Sequence, residues 1–78
     1  MKTTKYFQWR QANPDRSFIK ETWIMSVIKH PVRIEKQADG RFKLWGKISE
    51  YQNRYLRVVL LEDGETIHNA FFDRGFKP

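Results

Sequence analysis

Apolar positions change period about two fifths of the way along the chain. Ile19, Trp23 and Val27 recur at i, i+4 and i+8; Ile24 and Ile28 widen the stripe, and Phe18 and Met25 flank it. Lys20, Glu21, Thr22, Ser26 and Lys29 fall mostly on the other side. That pattern predicts one amphipathic helix over 14–30, covering a sheet face. Asn13-Pro14-Asp15 suits its start, with Asn as cap, Pro in the first turn and Asp at the positive end of the dipole. Lys29 and His30 suit its negative end, and Pro31 stops it.

Beyond Pro31 the period falls to two. Val32–Gln37, Arg41–Ser49, Tyr55–Glu62 and Thr66–Phe72 read as strands, separated by Ala38-Asp39-Gly40, the polar run 50–54, and Asp63-Gly64. Short connections make sequence neighbours spatial neighbours, so 32–72 is expected to form a four-stranded antiparallel meander. The fold class is α+β, a single domain with one long helix on that sheet. Residues 1–13 carry Tyr6, Phe7 and Trp9 without a period, and read as a short strand or an irregular arm docked on the core.

Turn length sets register. A three-residue loop at Ala38-Asp39-Gly40 places Ile34 opposite Leu44 and Arg33 opposite Trp45, keeping apolar residues on one face; a two-residue loop mixes the faces. A two-residue loop at Asp63-Gly64 pairs Leu60 with Ile67, Val59 with His68 and Leu56 with Phe71. Arg57 and His68 then become diagonal neighbours on the face away from the helix, and Asn69 turns toward the helix, where a buried amide needs partners.

Composition narrows the function classes. Seventy-eight residues leave room for one core, with a radius of gyration of roughly 11–12 Å. Large catalytic scaffolds are excluded. The chain has no Cys, which excludes disulfides, thiolate metal sites and cysteine nucleophiles. Twelve aromatic residues (Trp 3, Tyr 3, Phe 6) supply a dense core in its place. The two histidines are too far apart in sequence for a metal-site spacing, so neither metal nor cofactor is expected. No apolar run is long enough to span a membrane, and residues 1–6 have no signal-peptide shape, so a cytoplasmic location is expected.

Fifteen Lys and Arg against nine Asp and Glu give a net charge of +6, which suits RNA as a partner. The predicted open face carries Arg33, Glu35, Lys43, Trp45, Lys47, Arg57 and His68. One ring to stack on a base and several cations for phosphates make a single-stranded nucleic-acid surface of Trp45, Lys43 and Lys47, with Arg74 at the rim. The opposing reading packs Trp45 under the N-terminal arm. His68 titrates near neutrality and has the chemistry to move a proton in RNA cleavage by the 2′-hydroxyl. Arg57 and Arg33 have the charge to stabilise the transition state. Glu35 serves either as general base or to orient His68. Arg33 and Lys36 on the first strand discourage pairing at its open edge.

Pro14-Asp15-Arg16, Asp39-Gly40-Arg41, Trp45-Gly46, Leu56-Arg57-Val58-Val59, and Ile67-His68-Asn69-Ala70-Phe71 with Asp73-Arg74 resemble a group of small uncharacterised bacterial proteins over residues 14–77. The order of one helix then four strands also resembles the barnase/colicin/RelE-like ribonuclease fold, found in toxins of toxin–antitoxin pairs and in phage-associated nucleases. That resemblance implies a sheet face with His, Arg and an acidic or Tyr residue around the scissile phosphate, and an antitoxin as partner. His68, Arg57 and Arg33 match the first two roles; Phe76-Lys77-Pro78 departs from the terminal catalytic Tyr of the RelE pattern, for which Tyr51 or Tyr55 is left as a substitute. The expectation is a metal-independent ribonuclease, and the alternative a non-catalytic RNA- or protein-binding module on the same fold.

Overall fold

The computed structural model describes all of residues 1–78. Helix α1 spans Lys5–Gln11 and α2 spans Glu21–Lys29; strands β1 (Arg33–Lys36), β2 (Phe42–Ile48), β3 (Arg54–Leu60) and β4 (Ile67–Phe72) follow, with a 3-10 turn at Ser49–Tyr51. The sheet is antiparallel in the order β1-β2-β3-β4. The radius of gyration is 11.6 Å.

The single long helix expected over 14–30 is shortened to α2, Glu21–Lys29, and the stretch 1–13, expected as a short strand or irregular arm, holds helix α1 instead. Thr4 caps α1, its Oγ1 accepting the Phe7 N–H at 3.0 Å. Asn13 serves the end of α1 instead of starting a second helix: its Nδ2 donates to the Trp9 carbonyl at 2.9 Å. One turn around Pro14 follows, and the chain is extended again at Lys20, with ψ at 142°. This break frees Arg16 to reach β4 while Ile19 still enters the core. Its donor Nη1 binds Asn69 Oδ1 at 2.9 Å and the Ala70 carbonyl at 3.1 Å.

The core lies between α2 and one sheet face. Trp23, Ile24 and Val27 meet Leu44, Ile48, Leu56, Val58, Leu60, Ile67 and Ala70, with Phe7 and Ile19 closing the side. Helix and sheet approach closely at Gly46, where an added Cβ would sit 2.9 Å from Val27 Cγ2 and 3.1 Å from its Cα.

The first hairpin has the expected register, Ile34 opposite Leu44 and Arg33 opposite Trp45, with Gly40 at φ 90° closing the turn. In the second, Leu60 pairs with Ile67 as expected, but a bulge at His68 shifts everything after it. Val59 faces Asn69, Arg57 faces Phe71 and Leu56 faces Phe72. The extra residue turns Ala70 and Phe72 toward α2 and sends Asn69 to the other face. The expected inward Asn69 and the diagonal Arg57–His68 pair are thereby corrected. The alternation of Ile67, Asn69 and Phe71 would have buried an amide; the bulge buries Ala70 instead.

Candidate nucleic-acid interface

On the face away from α2, two rows cross all four strands: Arg33, Trp45, Arg57 and Phe71, and beside them Glu35, Lys43, Val59 and Asn69. Arg33, Arg57 and Trp45 are thus brought together as the sequence predicts. Trp45, however, is only 4% exposed. The segment after β4 folds back over it, and the Phe76 ring stacks on the indole at 4.9 Å with 15° between planes. The covering element is the C-terminal tail, not the N-terminal arm. A base cannot stack on Trp45 while Phe76 is in place.

Guanidinium groups and rings alternate along this row. Arg33 lies 4.9 Å from the Phe76 centroid, Arg57 lies between Trp45 and Phe71 at 5.3 and 5.0 Å, and Arg16 covers the far side of Phe71 at 5.1 Å. Asp73 anchors the row: its Oδ2 accepts Trp45 Nε1–H at 3.0 Å and both Nε–H and Nη2–H of Arg57, at 3.1 and 2.7 Å. Burial pushes the Asp73 pKa up, but the hydrogen bonds from Trp45 and Arg57 and the Arg57 charge outweigh it and hold the carboxyl below its ordinary range. Arg57 is therefore engaged by a carboxylate, and the row as a whole braces the sheet.

His68 lies apart from this row. Its Nδ1 is 3.0 Å from Thr4 Oγ1, and its ring stacks on Tyr6 at 4.9 Å. Thr4 already accepts a bond from Phe7, which leaves its hydroxyl proton free for Nδ1 and favours the tautomer protonated at Nε2. Burial, and then the charge of Arg41, lower the His68 pKa. The imidazole is held neutral, and its neighbours tie β4 to α1.

Two further cations without an ion pair lie at one end of the strands. Arg54 and Arg74 make no ion pair and stand on either side of a cleft of about 340 Å³, lined also by Tyr55, Phe72 and Asp73. A second cleft of about 360 Å³ shares Arg54, Phe72 and Arg74 with the first, and adds Arg16, Phe18 and Tyr51. Local structure places each group. Gln52 and Asn53 take left-handed backbone angles, φ 58° and 56°, which tighten the β2–β3 connection so that β3 begins with Arg54 at the cleft. The 3-10 turn sets the Tyr51 ring against Phe72 at 4.5 Å, and Arg54 lies 5.5 Å from the Tyr51 centroid. Asp73 Oδ1 accepts the Gly75 N–H at 3.1 Å, which shapes the turn presenting Arg74.

Asp39, Glu62, Asp63 and Glu65 gather at the two hairpin tips with Arg41 and Lys2, whereas the cleft lies at the other end of the strands, where Arg54, Arg74 and Lys47 stand with Asp73 and Glu50. Asp15 also lines the second cleft and lies 3.9 Å from Arg16 Nε and 3.2 Å from Arg10 Nη2, so both guanidinium groups already have a carboxylate beside them. Lys43 and Lys47 lack ion pairs and flank Trp45 on β2.

Of the residues singled out in the sequence, only Arg74 lines this cleft. Tyr51 and Tyr55 enter the sequence reading only as substitutes for a catalytic Tyr, and Arg54 and Phe72 not as site residues. Arg54 reads as part of a polar connection, and its approach to Arg74 depends on the β3–β4 pairing. No helix is long and apolar enough to cross a membrane. Comparison with protein-family models, with curated proteins and with solved structures finds no match to this chain.

Proposed function

We propose that this protein binds single-stranded RNA, without cleaving it, in the cleft between Arg54 and Arg74. One observation carries the reading: two guanidinium groups that make no ion pair line a cleft with Tyr55 and Phe72, and the one carboxylate in its wall, Asp73, is already taken up by Arg57 and Trp45. Guanidinium forks suit phosphate oxygens, and rings at the same site suit unstacked bases. At about 340 Å³ the cleft has the size of an ordinary small-ligand site. Arg54 and Arg74 hold consecutive phosphates, and Tyr55, half-buried beside them, offers ring surface to a base.

Metal-independent cleavage through His68, Arg57 and Arg33 has weaker support. That chemistry needs an imidazole and a free guanidinium addressing one phosphate. His68 is engaged with Thr4 and Tyr6, and Arg57 with Asp73. The test is a nuclear magnetic resonance titration with a single-stranded RNA of about eight nucleotides. Binding in the cleft shifts amides of residues 51–55 and 72–74. Shifts confined to residues around His68, together with RNA fragments ending in 2′,3′-cyclic phosphate, would favour the ribonuclease reading instead.

A further inference from the structure

The two edges of the sheet are treated differently. The outer edge of β4 is closed: Thr4 N–H donates to the Ile67 carbonyl at 3.0 Å, Ile67 N–H donates to the Lys2 carbonyl at 2.9 Å, and Arg16 caps the Ala70 carbonyl. Strand β1 forms the opposite edge, and all four of its residues are exposed. Gln37 N–H donates to the Arg41 carbonyl at 2.7 Å. Alternation from that pair directs the N–H and C=O groups of Ile34 and Lys36 away from β2, with no strand to meet them. Val32 and Ile34 lie along this edge at 55% and 57% exposure.

The edge is also cationic. Arg33 and Lys36 on β1, Lys43 and Lys47 on β2 and Lys29 at the end of α2 make no ion pair, and Glu35 is the only acid on β1. Two β1 strands could pair only with Ile34 opposite Ile34 or opposite Lys36, since those residues carry the free backbone groups. The first register leaves Lys36 opposite Val32 and the second sets Glu35 against Glu35, so neither gives Lys36 an acid to face, whereas an acidic strand can serve both Lys36 and Arg33.

We propose that β1 is a docking edge for an acidic extended segment of a partner protein, which adds as a fifth strand. In antiparallel addition the partner places acids opposite Lys36 and Arg33 and apolar residues opposite Ile34 and Val32. Backbone hydrogen bonds to Ile34 and Lys36 supply affinity, and the charges supply specificity. Arg33 and Lys36, which make no ion pair within the chain, favour an acidic strand. This surface is distinct from the Arg54–Arg74 cleft, so the proposal stands or falls independently of RNA binding.

The probe is the blocked peptide Thr-Glu-Thr-Val-Glu-Val-Thr, with a control in which Lys replaces both Glu. Amide hydrogen exchange is read residue by residue on the full chain. The acidic peptide slows exchange at Ile34 and Lys36 by about tenfold or more, and the Lys peptide does not. Arg33→Glu with Lys36→Glu, both at exposed positions, abolishes the protection by the acidic peptide and confers it on the Lys peptide. Equal protection by both peptides, protection elsewhere than β1, no protection at millimolar peptide, or self-association of the free chain through β1 would each overturn the proposal.

Discussion

Arg57 donates two hydrogen bonds to a single oxygen of Asp73, 2.7 Å from Nη2 and 3.1 Å from Nε. The same oxygen receives the Trp45 indole N–H. One carboxylate thus joins β2, β3 and the chain just beyond β4. Both side chains are largely removed from water, at 27% exposure for Arg57 and 14% for Asp73. Removing the acid leaves a guanidinium and an indole donor without their partner. Asp73→Ala is expected to cost about 2–3 kcal/mol of stability, measured by urea unfolding.

The same ion pair sets an acid limb. The folded Asp73 pKa lies below its ordinary value of 3.8. Its contribution is therefore complete above that value and is lost as pH falls through the depressed folded value. Asp73→Asn is expected to lower stability at neutral pH and to flatten its dependence on pH below about 4. A parallel loss at every pH would count against the ion pair.

The Phe76 lid over Trp45 predicts a local effect. Phe76→Ala removes the stacked ring, at a cost of about 1–2 kcal/mol. Hydrogen exchange at the Trp45 indole N–H should speed up, while amides of α2 keep their relative protection. Unchanged exchange at Trp45 would mean that the tail does not shield it.

Gly46 predicts a steric effect. A methyl group there meets Val27 at its Cα as well as its side chain, and backbone does not yield easily. Gly46→Ala should destabilise by about 1–3 kcal/mol, seen as a lower urea midpoint at unchanged slope.

His68 predicts a dependence near neutrality. Its folded pKa lies below the ordinary 6.5, so the unfolded chain binds the proton first as pH drops. The associated stability is fully present above 6.5 and declines as pH falls from there through the depressed folded value. The imidazole titration followed by nuclear magnetic resonance should have its midpoint below 6.5. Thr4→Ala, which removes both the α1 cap and the Nδ1 partner, should cost about 1 kcal/mol.

Much of the sheet was legible because side-chain period and turn chemistry agreed. Ala38-Asp39-Gly40 allowed only one register that kept Ile34 and Leu44 together, and that register is present. The helix was half legible. Ile19, Trp23 and Val27 all enter the core, but Ile19 does so from beyond the end of α2, and periodicity cannot distinguish that from one continuous helix. Helix α1 buries only Phe7, so it shows no stripe to read. The bulge at His68 left a mark in the sequence, an amide where alternation demanded an apolar residue, but its position depends on Thr4 and Tyr6, some sixty residues earlier. Arg33, Arg57 and Trp45 were correctly grouped on one face. What covers that face depends on where the chain goes after β4, which local pattern does not specify. The cleft was legible only through Arg74, because its other walls come together only when the start of β3 pairs with the end of β4, and those of the adjoining cleft come from the β2–β3 connection and the segment before α2.

The measurement that bears most directly on the central claim is a titration of single-stranded RNA over a series of salt concentrations, in EDTA. Wild-type protein is set beside the Arg54→Ala/Arg74→Ala double variant, and the RNA is recovered for product analysis. The account predicts intact RNA and wild-type binding that weakens as salt rises. The double variant should bind at least about tenfold more weakly, with a log–log salt slope smaller by roughly 1.4, or about 0.7 for each phosphate that an arginine no longer neutralises. Equal affinity and equal slope for the two proteins, or RNA cut by the wild type, would contradict it.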